Sequence, residues 1–307
     1  MKFSSTGLIS SSFKVIDQSF YEIDEKRLFQ KIELCGRVCY KSEDKITEDS
    51  ALNFVKKICV FNHGSVLEHY AFVLKIDNEY YELLKRSELL FFDFTNITYP
   101  LVSFNLRAFL NYYNVDHNYE ALLPIINFLS GLYPELFDKP TKEFKNYNIS
   151  LIEDFNKLSF LEREVHQRIS IKLITDRGVT HELVRHRLAS FSQESTRYCN
   201  YGKDKFGNEI TVIKPVDISN EAYEVWYQAM LNAEKSYFKM LELTSSPQLS
   251  RSVLPNSLKT EIVVTCSLKE WELIFELRCA PQAHPDIRFI MNKVKDYFIE
   301  KRYLNEN

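Results

Sequence analysis

Glycine is scarce in this chain, with only 7 residues among 307, and no G-x-G-x-x-G motif occurs. Phosphate-binding loops of the Walker and Rossmann types need glycines, because these let the backbone approach the phosphate closely. The sequence therefore argues against both kinds of loop. A bound nucleotide or phosphate would have to be held by side chains.

Long apolar runs and paired cysteines are also lacking. No run approaches the ~20 apolar residues that span a bilayer, and residues 1–14 lack the apolar core of a secretory signal. The six cysteines include no C-x-x-C pair, which indicates reduced, mostly buried thiols rather than a disulfide framework. Together these features predict a cytoplasmic protein.

The charge balance gives no overall attraction to nucleic acid. The chain carries 39 basic and 42 acidic residues, for a net charge of −3. Its 45% hydrophobic content is that of an ordinary globular protein, long enough to bury a substantial core. Any anion site must therefore be a local cluster of basic residues.

Residues 185–198 form such a cluster. They contain three arginines, one histidine, three serines and a Gln-Glu pair. Arginine offers a planar fork that matches phosphate oxygens two at a time, and serine and glutamine add neutral hydrogen bonds. The alternative is a solvated helix face, but such a face would use Lys and Glu at helical spacing. The composition favours a phosphate or nucleotide site.

The cluster also resembles a known family signature. Arg185-His186-Arg187, followed after seven residues by Ser195, resembles the motif of the flavin-dependent thymidylate synthases. The flanking residues 175–184 and 197–201 are similar to the family as well. Two other segments, residues 63–69 and 251–255, resemble its His-x-(Ser/Thr)-x-x-Glu-His and Arg-x-x-Leu-Pro motifs.

The resemblance implies an α+β fold of the thymidylate synthase-complementing type, with a mixed sheet flanked by helices. It implies a single domain over residues 1–307, assembled as a homotetramer with active sites at subunit interfaces. Compact family members lack most of residues 77–165, so this segment is expected to be an insertion packed on the core. No internal repeat is evident in the sequence.

The resemblance further implies reductive methylation of dUMP to dTMP. The carbon donor would be 5,10-methylenetetrahydrofolate, and FAD reduced by NADPH would supply the hydride. The implied FAD-binding residues are His63, Ser65, Glu68, Arg185, His186, Arg187 and Ser267. The implied dUMP-binding residues are Glu182, Arg185, Gln193, Glu194, Ser195, Arg197, Arg251 and Arg278.

Arg278 is also the implied catalytic residue, because a fixed cation beside the pyrimidine would lower the pKa of its N3 proton. The resemblance implies no metal and no partner of nucleic acid or membrane. Compact members often have Asn where this chain has Ser267 and Glu276, so that part of the flavin contact set departs from the family. Glu182 and Gln193 also replace other polar residues.

Local patterns predict several elements. Strands are expected over residues 70–76 and 168–175, and helices over residues 24–42, 47–62, 82–92, 119–132 and 219–243. Thr47 and Thr180 are predicted N-caps, and Gly64 a left-handed helix end. Ser267 and Glu270 have the spacing of a capping box, and Pro285 is expected to open the last helix.

Two rival functions remain open. The arginine cluster could belong to a nucleic-acid-binding module, although the acidic net charge disfavours this. A hydrolase could use Ser195 as a nucleophile, or a metal held by His63 and His69, although His-x5-His is not a common zinc spacing. No cysteine is assigned as a nucleophile, and Cys199 is the one to be tested.

Overall fold

The computed structural model describes residues 7–16, 25–61, 63–115, 119–152 and 154–304. The strands, in chain order, are β1 Leu8–Ile9, β2 Ser12–Val15, β3 Ala71–Ile76, β4 Phe92–Asn96, β5 Pro100–Asn105, β6 Ile149–Leu151, β7 Arg168–Asp176, β8 Ser190–Gln193, β9 Val212–Ile213 and β10 Lys259–Ser267. The helices are α1 Glu25–Tyr40, α2 Ser50–Val60, α3 Asn78–Arg86, α4 Leu106–Val115, α5 Leu123–Leu132, α6 Phe160–His166, α7 Arg177–Leu183, α8 Asn220–Thr244, α9 Pro247–Ser250, α10 Leu268–Arg278 and α11 Pro285–Glu300. The predicted α+β class is confirmed.

The strands form two separate four-stranded sheets instead of the single mixed sheet that we expected. Their orders are β4-β5-β3-β6 and β2-β7-β10-β8, and every pairing within them is antiparallel. β1 and β9 form a parallel pair apart from these. The first sheet arises because residues 92–105 form the hairpin β4-β5, whose strand β5 pairs with β3. The helix predicted over residues 82–92 is in fact α3, which ends at Arg86.

The second sheet buries an apolar face and a polar face. β7 and β10 pair along nine residues, so their side chains alternate between the two faces. Ile169, Ile171 and Ile262 pack with α10 and α11 on the apolar face. Ser170 and Thr265 lie on the opposite face, where α1 covers the sheet. Groups that can bind a ligand are therefore held on rigid strands.

Three of the predicted helix signals were wrong. α2 begins at Ser50 with Asp49 in the N-cap position, because the hydroxyl of Ser50 accepts from the N–H of Thr47 and ties up that turn. Gly64 does not have a left-handed conformation and opens a 3-10 helix over Gly64–His69. A Cβ at Gly64 would lie 2.9 Å from Nε of Arg107, so the glycine permits a close approach.

Thr180 is not a cap either, because Asp176 caps α7 and places Thr180 inside that helix. Ser267 does cap α10, accepting from the N–H of Glu270 at 3.3 Å. The carboxylate of Glu270 lies instead beside His186. The predicted start of the first helix at residue 24 and the helix end predicted at residue 62 lie outside the described residues.

The predicted strands over residues 70–76 and 168–175 and two of the predicted helix starts are confirmed. β3 and β7 cover the two predicted strands, α8 begins after its cap Ser219, and α11 has Pro285 in its first turn. All six cysteines are free. Within the described part of the chain, no helix combines the length and the apolar character that a membrane crossing requires.

Candidate functional site

Arg185, His186 and Arg187 lie in the turn between α7 and β8. Asp176 fixes the start of α7 by accepting from the N–H of Val179 at 2.8 Å. Arg185 and Arg187 follow the helix and are exposed, whereas His186 between them is buried. Neighbouring residues of the motif therefore have different environments, and only the two arginines are free to reach a ligand in solvent.

Arg278 connects the end of α10 to this turn. Its Nε donates to Nε2 of His186 at 3.1 Å, one terminal nitrogen donates to Glu182 Oε2 at 3.2 Å, and the other donates to the Glu182 carbonyl at 2.9 Å. Each terminal nitrogen carries a second N–H, so the guanidinium keeps two donors beyond these contacts. The predicted residues Glu182, His186 and Arg278 are thus brought together.

His186 is a neutral hydrogen-bond acceptor in this network. Burial, with smaller contributions from the nearby cations Arg278 and Arg185, lowers its pKa to about 4. Because a guanidinium only donates, Nε2 of His186 accepts and the ring proton lies on Nδ1. Nδ1 is 3.5 Å from Oε1 of Glu270, whose pKa is raised by burial. His186 therefore orients Arg278 and contributes no positive charge.

A cavity of about 480 Å³ opens beside Arg187. Its lining residues include three of the predicted FAD-binding positions, Glu68, Arg187 and Ser267. The remainder of the lining comes from Phe91, Asp93, Asn105, Arg107, Ala108, Asn111, Arg168, Leu188, Ala189, Ser190, Thr265 and Cys266. Three arginines and several hydroxyl or amide groups in one cavity suit an anionic organic ligand.

A second cavity, of about 410 Å³, adjoins the first. Arg107 lines both and is paired with Glu68, so its side chain lies between them. The predicted residues His63, Ser65, Gln193 and Ser195 line the second cavity, together with Cys39, Tyr40, Gly64, Val66 and Tyr198. Five of the seven predicted FAD residues are therefore divided between two neighbouring cavities, and Arg185 and His186 line neither.

The predicted ligand Glu194 lies in a different, ionic environment. It is buried, accepts from the hydroxyl of Tyr201 at 3.0 Å and pairs with Lys259 at 2.9 Å. Lys259 also pairs with Glu261, which binds Lys41 and Lys172 as well. This cluster borders a third cavity of about 330 Å³. Glu194 thus points away from the cavity that Ser195 lines.

Three predicted arginines stand apart from both cavities. Arg185, Arg197 and Arg251 are exposed. Nε of Arg197 donates to Gln248 on α9 at 3.2 Å, which ties the end of the motif to the segment that precedes Arg251. Arg278 also lines neither of the first two cavities. A single chain therefore does not gather all the predicted dUMP residues around one point.

Several lining residues were not assigned from the sequence. Arg168 and Asp93 carry no motif, and only their positions on strands bring them to the larger cavity. Residues 103–109 resemble a segment of longer family members, and the sequence left Asn105 and Arg107 open as active-site or structural residues. Both line the larger cavity. Arg168 binds Asp93 at 2.6 Å, which joins the two sheets across the larger cavity.

The rival hydrolase sites are not supported by the geometry. The Ser195 hydroxyl accepts from the N–H of Arg197, and His186 is engaged by Arg278 and Glu270. His69 is buried between Thr265 and Ser192, and the described residues contain no cluster of ligands that could hold a metal ion. Burial raises the pKa of the Cys199 thiol to about 12, so this cysteine stays protonated.

An α+β fold with arginine-lined cavities is suited to an anionic organic ligand. The chain belongs to the thymidylate synthase complementing protein family, whose sequence model matches residues 141–301. It is 31% identical to a flavin-dependent thymidylate synthase of Pyrococcus abyssi over 128 residues, covering 42% of this chain and 52% of that protein. The corresponding Sulfurisphaera tokodaii enzyme is 37% identical over 136 residues, covering 44% and 51%.

The match thus spans about half the length of these two curated relatives. A longer match, to the Pyrococcus horikoshii flavin-dependent thymidylate synthase, is 27% identical and covers 59% of this chain and 73% of that protein. Among solved structures, the UMP/dUMP methylase PolB from Streptomyces cacaoi bound with 5-Br dUMP has a TM-score of 0.40 at 14% identity, covering 95% and 92%. The Helicobacter pylori enzyme complexed with FAD and dUMP has a TM-score of 0.36 at 21% identity, covering 44% and 70%.

Proposed function

We propose that this protein is a cytoplasmic flavin-dependent thymidylate synthase that converts dUMP to dTMP. The co-substrates would be 5,10-methylenetetrahydrofolate and NADPH, and FAD when bound would supply the hydride. The observation that carries the proposal is the Arg278–His186–Glu182 network, which lies within the family match and next to the cavity of Arg187. The curated relatives named above support it.

The residues of the two adjoining cavities fit FAD. Arg187 and Arg107 would bind the diphosphate, since guanidinium groups pair with phosphate oxygens and the cavity also offers hydroxyl donors. Ser267, the N-cap of α10, would add one such hydroxyl. The remaining FAD positions of this proposal are His63, Ser65, Glu68, Arg185 and His186.

Arg278 is proposed to hold the pyrimidine of dUMP. Its two remaining N–H donors suit a carbonyl oxygen and a deprotonated N3, and His186 and Glu182 fix the plane of the guanidinium. The other proposed dUMP ligands are Glu182, Arg185, Gln193, Glu194, Ser195, Arg197 and Arg251. Because these do not converge in one chain, we propose a homotetramer in which neighbouring chains complete each site.

An absorption spectrum of the desalted protein, taken before and after adding FAD and then dUMP, tests the proposed function. We expect flavin bands at about one FAD per chain and a change in them when dUMP binds. Free FAD mixed with dUMP gives the baseline. A protein that retains no flavin after FAD addition would contradict the proposal, and one that binds it should next form dTMP with NADPH and the folate.

Arg278→Lys is expected to reduce the rate of dTMP formation about 100-fold, the usual loss when one preorganised donor group is removed from a site. The substitution keeps the charge but removes the fork that bonds His186 and Glu182. FAD binding should be unchanged. Arg288→Lys, on α11, is the matched control and should keep its rate. Equal rates for both variants would remove Arg278 from the proposed mechanism.

A further inference from the structure

The two four-stranded sheets have the same architecture. Their orders, β4-β5-β3-β6 and β8-β10-β7-β2, correspond strand for strand. The chain passes through β3-α3-β4-β5-α4-α5 in one and β7-α7-β8-β10-α10-α11 in the other, and the second path carries β9, α8 and α9 as an addition between β8 and β10. An equal strand order with equal helix connections indicates two copies of one unit.

The hydrogen-bond register agrees residue by residue. Asn105 ends β5 opposite Ala71, and Ser267 ends β10 opposite Arg168. Both end residues cap the next helix by accepting from the N–H three positions on, at 2.8 Å for Asn105 and 3.3 Å for Ser267. The next N–H bonds the carbonyl just before the partner strand, from Leu106 at 2.9 Å and Leu268 at 3.1 Å.

Two buried histidines make the same contacts reciprocally. His69 lies two residues before β3, and its ring nitrogens bond Thr265 on β10 at 2.7 Å and Ser192 on β8 at 2.9 Å. His69 therefore reaches from the first unit to the sheet of the second. If the second unit has a matching histidine, the contact is reciprocal, as in an isologous interface about a twofold axis.

His166 repeats this arrangement from two residues before β7. Its nitrogens bond Ser103 on β5 at 2.8 Å and Thr95 on β4 at 2.9 Å. Ser103 and Thr265 both stand two residues before the cap residue of their strand. Thr95 lies opposite Leu101 and Ser192 lies opposite Val263, which are again equivalent positions.

The edge strands are exchanged between the units. β2, which precedes the first unit in the chain, pairs with β7 of the second, and β6, which precedes the second, pairs with β3 of the first. The N–H group directly after each edge strand also bonds an equivalent carbonyl. Ile16 donates to Ser170 and Ile152 donates to Val73, both at 2.9 Å, and these acceptors are the third residues of β7 and β3. Such an exchange of identical elements is the arrangement of a domain-swapped dimer.

The larger cavity lies between the two units. Equivalent residues from both line it, namely the pairs Asp93 and Ser190, Asn105 and Ser267, and Phe91 and Leu188. None of its charged groups, however, has a charged equivalent that also lines the cavity. Glu68, Arg107 and Arg187 line the cavity, and their equivalents are Val165, Lys269 and Leu90.

We infer that residues 12–132 and 149–300 are two copies of one unit fused into an internal dimer, which keeps one of two originally equivalent ligand sites. The second unit supplies Arg187, and the first supplies Arg107 and Glu68. The expected insertion over residues 77–165 then comprises the later part of the first unit and the start of the second. The identity of the ligand rests on the proposed function: one FAD per chain, bound across the two units.

Matched variants of the full chain test the inference by titration with FAD. Arg107→Gln is expected to raise the Kd about tenfold, the effect of losing one charge-assisted hydrogen bond. Lys269→Gln, at the equivalent position, is expected to leave the Kd within about twofold, because Lys269 is exposed and does not line the cavity. The wild-type stoichiometry should be one FAD per chain.

Two FAD per chain, or equal losses in the two variants, would overturn the single retained site while leaving the proposed function intact. Absence of FAD binding by the wild type would overturn the proposed cofactor itself. The equivalence of the two units can be tested without any ligand, whatever the FAD titration gives. His69→Gln and His166→Gln should lower Tm by similar amounts, and a loss confined to one of them would overturn the internal dimer.

Discussion

Glu261→Ala is expected to lower the free energy of unfolding by about 3–5 kcal/mol, the usual result of removing one partner of a buried charge cluster. Glu261 binds Lys41 at 2.7 Å, Lys259 at 2.8 Å and Lys172 at 2.9 Å. Burial alone would raise its pKa, but the lysines outweigh burial and hold the pKa well below its usual range. Without this carboxylate, Lys259 retains Glu194 and Lys41 retains Glu43, but the three ammonium groups lose the partner that they share.

The measurement is urea unfolding of wild type and variant at pH 7.5. Glu79→Ala is the matched control, because Glu79 forms a solvent-exposed pair with Lys145. Such a pair contributes about 0–1 kcal/mol. If both substitutions cost the same, the cluster around Glu261 is not a stabilising feature of the fold.

Lowering the pH from 7.5 to 5 should destabilise the protein by about 2 kcal/mol for each of His69 and His166. Burial lowers the pKa of both to about 3, with smaller contributions from Lys31 at His69 and from Arg168 at His166. An unfolded histidine has a pKa near 6.5. The unfolded chain therefore binds more protons, so this stability is present above about pH 6.5 and is lost as the pH falls towards 3.

The test compares the pH dependence of unfolding in wild type and His69→Gln. Glutamine does not titrate, so the decrease between pH 7.5 and 5 should be smaller by about 2 kcal/mol in the variant. His181→Gln removes an exposed histidine and should retain the wild-type slope. Parallel curves for His69→Gln and wild type would show that His69 is not the group that resists protonation.

Local elements were predictable where one physical rule dominates. The spacing of Leu28, Ile32 and Cys35 predicts α1, and all three are fully buried. The alternation in β7 and the proline at the start of α11 were equally informative. Helix caps were less so. Thr180 and Asp176 are both suitable cap residues, and only the position at which the preceding strand ends decides between them.

The candidate site was predictable as a motif but not as an arrangement. The composition of residues 185–198 predicts an anion site. Glu194, however, is bound by Lys259, which lies 65 positions away in the sequence. Arg107 and Arg187 meet only because two sheets pack together. The two units share a hydrogen-bond register more than they share residues, as Arg187 and its counterpart Leu90 illustrate. Register is a property of the folded backbone, so the sequence showed no repeat.

The exchanged edge strands delay the pairing of β2 while the chain is being synthesised. Ser11, directly before β2, hydrogen-bonds Thr175, which is made 164 residues later. At ~5–20 residues per second, β2 waits roughly 8 to 33 s for its partner on the ribosome. Ser12 and Lys14 face outwards on this short strand, and a polar, charged edge discourages pairing with other chains meanwhile. β6 has no such delay, because β3 is already complete when β6 emerges.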